Sequence, residues 1–252
     1  MSPGNGEFAG KTALVTGGAS GIGKAIAKAF AAGGASVTVA DIDADKTHQV
    51  AQELGGTPWV VDLSDTDSLD GVDVQADILV NNAGLQRIHA LEEFPLSEWQ
   101  LLMRIMLEAP FLLTKAVLPG MYERGWGRVI NISSVHGLRA SAYKSAYVAA
   151  KHGLMGLTKV TALEGGPQGV TCNAINPGYI HTPIVEKQVT DQAKAHNISE
   201  AEVMDKVFLS HSAVGRLATV EEVARIAVFL AGDEAGVING AAHSIDGGWQ
   251  AS

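Results

Sequence analysis

The segment Thr16-Gly17-Gly18-Ala19-Ser20-Gly21-Ile22-Gly23 lies between an apolar run, Ala13–Thr16, and a helical pattern, Ile22–Ala32. A strand that turns on glycines into a helix opens a βαβ unit. The start of such a helix offers free N–H groups and the positive end of its dipole to an anion. Gly17 permits the tight turn, Gly21 lets the backbone approach a pyrophosphate, and Gly23 lets helix and strand pack closely. A glycine-rich turn by itself is a weak signal. Its place between a strand and a helix makes it a dinucleotide site.

The rest of the chain repeats the same rhythm. Trp59–Val61, Val37–Ala40, Ile78–Val80, Arg128–Ile132, Val170–Ile175 and Ala241–Ile245 are short apolar runs of the kind that form buried parallel strands. Leu96–Tyr122, Ser145–Leu163 and Val220–Ala231 have helical spacing, the last with Thr219 as its N-cap and Glu221 and Glu222 in its first turn. The alternation predicts an α/β fold: one Rossmann-type, doubly wound parallel sheet of about seven strands with helices on both faces. With 252 residues, 46% of them hydrophobic, the chain suits a single domain. Two stretches depart from the rhythm. The Asp62–Ile78 crossover has room for a helix of only about two turns. The Pro183–Gly215 segment is too long for a simple connection and has the features of a substrate lid.

Composition excludes several classes. A net charge of −9 with no Lys/Arg cluster argues against nucleic acid. The lone Cys172 excludes an intrachain disulfide and a cysteine-rich metal site. No apolar run approaches the roughly 18 residues of a membrane span. Met1–Lys11 does not have the pattern of a signal peptide, so the expected location is cytoplasmic.

Asp41 closes the second strand, where an adenosine ribose would lie. A carboxylate there accepts from a 2′-hydroxyl and repels a 2′-phosphate, which predicts NAD as the cofactor. Asn81-Asn82-Ala83-Gly84 and Asn176-Pro177-Gly178 follow the fourth and sixth strands, at the carboxyl ends where such sheets bind ligands. Tyr147 and Lys151 are four residues apart on one helical face, and Ser133 and Ser134 end the fifth strand. Tyrosine is a poor base near neutrality, and an adjacent ammonium lowers its pKa by roughly 1–3 units. The spacing alone is common on surfaces. The serine strand and the glycine motif give it meaning as general acid–base machinery.

These pieces, with Asp62-Leu63 and the closing Asp246-Gly247-Gly248, resemble the short-chain dehydrogenase/reductase family over nearly the whole chain. The resemblance implies Tyr147 as acid/base, Ser134 as the group that polarises the substrate oxygen, and Lys151 as ribose ligand and tuner of Tyr147. It also implies cofactor contacts from Asp62, Leu63, Asn82, Gly84 and Thr182, and a homotetramer. The run His136–Tyr147, with Gly84-Leu85-Gln86, Val185-Glu186-Lys187-Gln188 and Gly247-Gly248-Trp249, is similar to D-3-hydroxybutyrate dehydrogenases in particular. That similarity implies that Gln86, His136, Lys144 and Gln188 hold a substrate carboxylate and that Trp249 walls the methyl end. The chemistry agrees, because a small anionic hydroxy or keto acid needs a charge and several donors, and Lys144 buried without an anion would be costly.

Two features depart from the family pattern. Met106 stands where many members carry an asparagine linked to a water chain that moves protons, and a thioether cannot donate. The short Asp62–Ile78 crossover predicts a looser adenine side. The expected reaction is interconversion of (R)-3-hydroxybutyrate and acetoacetate. Two alternatives stay open on sequence: a dehydrogenase or reductase for another short hydroxy or keto acid, and a weakly active NAD-binding regulatory protein.

Overall fold

The structure, a computed structural model, describes residues 6–182, 185 and 188–251. Seven strands form one parallel sheet in the order β3-β2-β1-β4-β5-β6-β7. They are β1 (Thr12–Thr16), β2 (Ser36–Asp41), β3 (Thr57–Val60), β4 (Ile78–Asn81), β5 (Gly127–Ile132), β6 (Val170–Pro177) and β7 (Ala242–Ile245). The order reverses between β1 and β4, and in such a sheet the ligand crevice opens at that switch point.

Alternate side chains of each strand serve opposite faces. Val15, Val39, Val80 and Ile130 join a core with Ile26 and Phe30 of α1 (Gly21–Ala32). Leu14, Leu79, Val129 and Cys172 join a second core with Leu113, Val117 and Met121. The two cores are the two layers of a doubly wound domain. Each fully buried Leu, Val or Phe contributes about 1.5–3 kcal/mol.

The structure differs from the sequence expectation in its helices. An unexpected helix, α2 (Ala44–Leu54), starts within the acidic run Asp41–Asp45. Asp43 is its N-cap, accepting from Lys46 N–H at 3.1 Å, and Gly55 ends it in the left-handed conformation. Few of its residues are apolar, because the helix covers the edge of the sheet and buries only Thr47, Val50 and Ala51. The Asp62–Ile78 crossover contains a single helical turn, α3 (Thr66–Leu69), where about two turns were expected. Thr66 and Leu69 of this turn are buried, and Leu69 enters the core.

The long pattern Leu96–Tyr122 is not one regular helix. It comprises α4 (Leu96–Met103), a π-helical turn (Arg104–Glu108) and α5 (Ala109–Arg124). Pro110 has no N–H to offer the Met106 carbonyl, so the α ladder is interrupted there. Ala109 N–H reaches back to Arg104 O instead. Next comes α6 (Ser145–Gly165).

The long segment after β6 holds α7 (Val189–His196), α8 (Glu200–Val203) and a second π turn (Met204–Phe208). Pro183, Glu186 and Lys187 lie outside the described residues. Thr219 caps α9 (Val220–Ala231) through a reciprocal bond pair with Glu222. Among the described residues, no helix is long and apolar enough to cross a membrane.

Candidate active site

The carboxyl ends of the strands border a cavity of about 510 Å³. Its wall begins at Asp41 and Ile42, passes Val61–Leu63 and the Gly17–Ile22 turn, and reaches Ser134, Tyr147 and Lys151 before ending at Trp249. All the expected site residues line it except Thr16 and Gly23, which stand behind the wall and shape it. Gly23 has no room for a side chain, since a Cβ there would run into the Gly17 carbonyl oxygen. Gly17 adopts φ +62°, and a Cβ on it would come 2.8 Å from Asn82 Nδ2.

Thr16 and Asn82 tie two strand ends together. The Thr16 hydroxyl accepts from Asn82 N–H at 2.9 Å and Ala83 N–H at 3.1 Å. Asn82 Nδ2 donates back to the carbonyls of Thr16 (2.9 Å) and Gly17 (3.2 Å). The glycine turn is therefore fixed by bonds from β4. The Asp41 carboxylate also supports it, accepting from Ala19 N–H at 3.1 Å. Ser20, the N-cap of α1, makes no side-chain capping bond, so its hydroxyl is not committed to the helix. Open first-turn amides, an uncommitted hydroxyl and a glycine at φ +50° (Gly21) suit a pyrophosphate. A nicotinamide dinucleotide fits this donor set. The Asp62 carboxylate partly serves its own turn, accepting from Ser64 N–H at 2.8 Å.

The central group rests on α6 and β5. Asn81 donates to Asn131 at 2.9 Å, and Asn131 donates to Thr158 of α6 at 2.9 Å, so β4, β5 and α6 are pinned beneath the cleft. Asn176 Nδ2 donates to Ser134 O at 2.8 Å. The Ser134 hydroxyl accepts from His136 N–H at 3.1 Å and acts to lower the Tyr147 pKa. Lys151 Nζ lies 5.7 Å from the Tyr147 ring centroid and donates to Ile132 O at 2.7 Å.

The electrostatics differ from the sequence expectation of a lowered tyrosine. Burial raises the Tyr147 pKa, and Ser134 only partly opposes this. Burial also weakens the cation meant to lower it, pulling Lys151 down to about 8. Met106, fully buried, packs with Leu102, Ala146 and Ala150 beside Tyr147, so its thioether fills space against α6.

At the far end, Lys144 is 3% exposed and no carboxylate pairs with it among the described residues. Its Nζ donates to Tyr179 Oη at 2.8 Å and lies 3.3 Å from His136 Nε2. Burial pulls Lys144 to about 8 and His136 to about 3. The residue before Lys144, Tyr143, is held at φ +67°, a left-handed conformation that a non-glycine residue adopts at a cost. Gln86, Gln188 and Trp249 line the same end. The sequence reading did not single out Tyr179, which stacks on Trp249 with ring centroids 5.9 Å apart. The available signal was its position directly after Asn176-Pro177-Gly178, where a strand end meets the ligand crevice.

The profile of the short chain dehydrogenase family matches residues 11–193. The chain belongs to the short-chain dehydrogenase family. As a member it is an oxidoreductase that works with a nicotinamide cofactor. Its relatives include the D-beta-hydroxybutyrate dehydrogenases of Rhizobium meliloti (strain 1021), 44% identical over 96% of this chain and 99% of that one, and of Cupriavidus necator, 45% identical over 96% and 98%. A solved Agrobacterium tumefaciens structure with bound NADP superposes with a TM-score of 0.83 at 37% identity, covering 97% of this short-chain dehydrogenase and 98% of the other.

Proposed function

We propose that this short-chain dehydrogenase interconverts (R)-3-hydroxybutyrate and acetoacetate, with NAD as its cofactor. The observation that carries the reading is Lys144, a buried ammonium with no anionic partner among the described residues, in the cavity that also holds Ser134, Tyr147 and Lys151. Burying a cation is costly unless an anion joins it, so a pocket of this kind favours an acid. The names of the Rhizobium and Cupriavidus relatives point the same way.

The dinucleotide, when bound, supplies or accepts the hydride. The protein's own groups do the rest. Ser134 holds the reacting oxygen, and Tyr147 exchanges a proton with it. A phenol whose pKa is raised by burial is a proton donor, which suits reduction of the keto acid. Lys151 would hold the cofactor ribose, and it adds positive charge near Tyr147. Lys144 and His136, with Gln86 and Gln188, take the carboxylate, and Trp249 closes the methyl end. Residues 183–215 act as the lid that excludes water.

Asp41 supports NAD over NADP, because this acidic residue lines the cavity at the end of β2. A 2′-phosphate there would meet like charge. A homotetramer is part of the same reading. Its support is the resemblance, together with Phe111, Val160 and Leu163, exposed apolar side chains on α5 and α6.

Purified protein assayed with both enantiomers of 3-hydroxybutyrate, with NAD and NADP, tests the reading. Turnover is expected with the (R)-acid and NAD. Activity confined to uncharged alcohols, or NAD binding without turnover, would refute it.

A further inference from the structure

Tyr179 follows the β6 end and leans over the acid pocket. Its ring is wedged between Trp249 (centroids 5.9 Å, planes 21° apart) and Phe208 (4.6 Å, 41°). Its position is therefore set by aromatic packing on both sides. Its backbone is set as well, since the preceding Gly178 donates to Ile245 O at 2.9 Å and a Cβ on it would sit tightly, 3.0 Å from Asp246 Cα.

The direction of the bond to Lys144 matters. An ammonium can only donate, so at 2.8 Å the Tyr179 oxygen accepts. The phenolic proton is then left to be donated elsewhere. Among the described residues, the Tyr179 hydroxyl donates no hydrogen bond. Burial and the nearby Tyr147 both raise the Tyr179 pKa, so the phenol keeps that proton. Tyr179 and Tyr147 line the same cavity.

We propose that Tyr179 is a specificity-determining residue of the acid pocket. Oriented by Lys144, its hydroxyl donates to one carboxylate oxygen of the substrate while Lys144 holds the other. A carboxylate is acceptor-only and satisfies both donors. An amide of the same shape turns an NH₂ toward one of them and leaves that donor unmatched. The inference rests on the 3-hydroxybutyrate reading and adds the group that tells acid from neutral isostere.

The test is steady-state reduction of acetoacetate and of acetoacetamide, with saturating NADH, by wild type and Tyr179→Phe. The ring, and with it the stack, is retained. The KM for acetoacetate is expected to rise about tenfold or more, the usual range for a hydrogen bond to a charged group. kcat, the KM for NADH and the KM for acetoacetamide should stay within about twofold, as expected for loss of uniform binding. Tyr179→Met, a second apolar variant with no side-chain donor, should show the same split and covers a Phe variant that folds poorly. An unmoved KM for acetoacetate, or equal losses on both compounds, would leave Tyr179 only a packing role and overturn the inference while the functional reading stands. Wild-type protein that fails to turn over acetoacetate would overturn both.

Discussion

At the dinucleotide end of the cleft the working groups are largely main-chain atoms, held by Gly17, Gly21 and the bonds between Thr16 and Asn82. At the acid end they are side chains: Lys144 and His136 from one segment, with Tyr179 and Trp249 from two others. Each end has a buried lysine with its pKa pulled to about 8, yet the partners differ. Lys151 spends one proton on a backbone carbonyl, whereas Lys144, among the described residues, meets a phenol and an imidazole. One end has the donor set of a pyrophosphate site. The other holds a desolvated charge, which the proposed reading assigns to the substrate carboxylate.

If the two ends are separable, variants should break them one at a time. The largest effect is expected at the junction. Tyr147→Phe should lower kcat by about 10²–10⁴-fold, the range for loss of a general acid–base group. NADH affinity, measured by fluorescence titration, should stay within a few-fold. Near-normal turnover would remove Tyr147 from the chemistry.

Next comes Lys144→Met. Its KM for acetoacetate should rise about 10–100-fold, as for loss of a charged hydrogen-bond partner. Its KM for NADH should not follow. A parallel loss of both would show that the ends are coupled.

A smaller effect concerns pH. The charged form of Lys144 binds the acid and is lost as pH rises through about 8. In wild type, kcat/KM for acetoacetate should fall across that point more steeply than for acetoacetamide. Lys151 titrates in the same window and acts on both compounds, so the difference between the two profiles isolates Lys144. Parallel profiles would contradict the assignment.

The mildest is Asp41→Asn, which keeps an oxygen for Ala19 N–H and removes the charge. The preference for NAD over NADP should shrink by about tenfold, the scale of one like-charge contact near the surface. An unchanged ratio of the two KM values would show that Asp41 serves only the turn.

The two ends also differ in how much the sequence revealed. The glycine turn, the strand-end asparagines and the Tyr147–Lys151 pair are local patterns whose spacing implies their geometry. All seven strands were legible because each is a short apolar run with turn residues at its ends. α2 was not, since it sits at the sheet edge and has only a thin buried stripe. Nor was the π turn before α5, although Pro110 was its visible cause. The acid end was legible only through resemblance. No periodicity marks Lys144, and its left-handed neighbour Tyr143 has no sequence signal.

The sequence alone determined the sheet, the dinucleotide turn and the candidate proton-transfer pair, because hydrophobic period and backbone preference act over a few residues. Only the tertiary structure decided which partners the buried lysines meet, that burial raises the Tyr147 pKa, and that Tyr179 joins the pocket. Those facts depend on desolvation and on contacts between segments far apart in the chain, which no local pattern encodes.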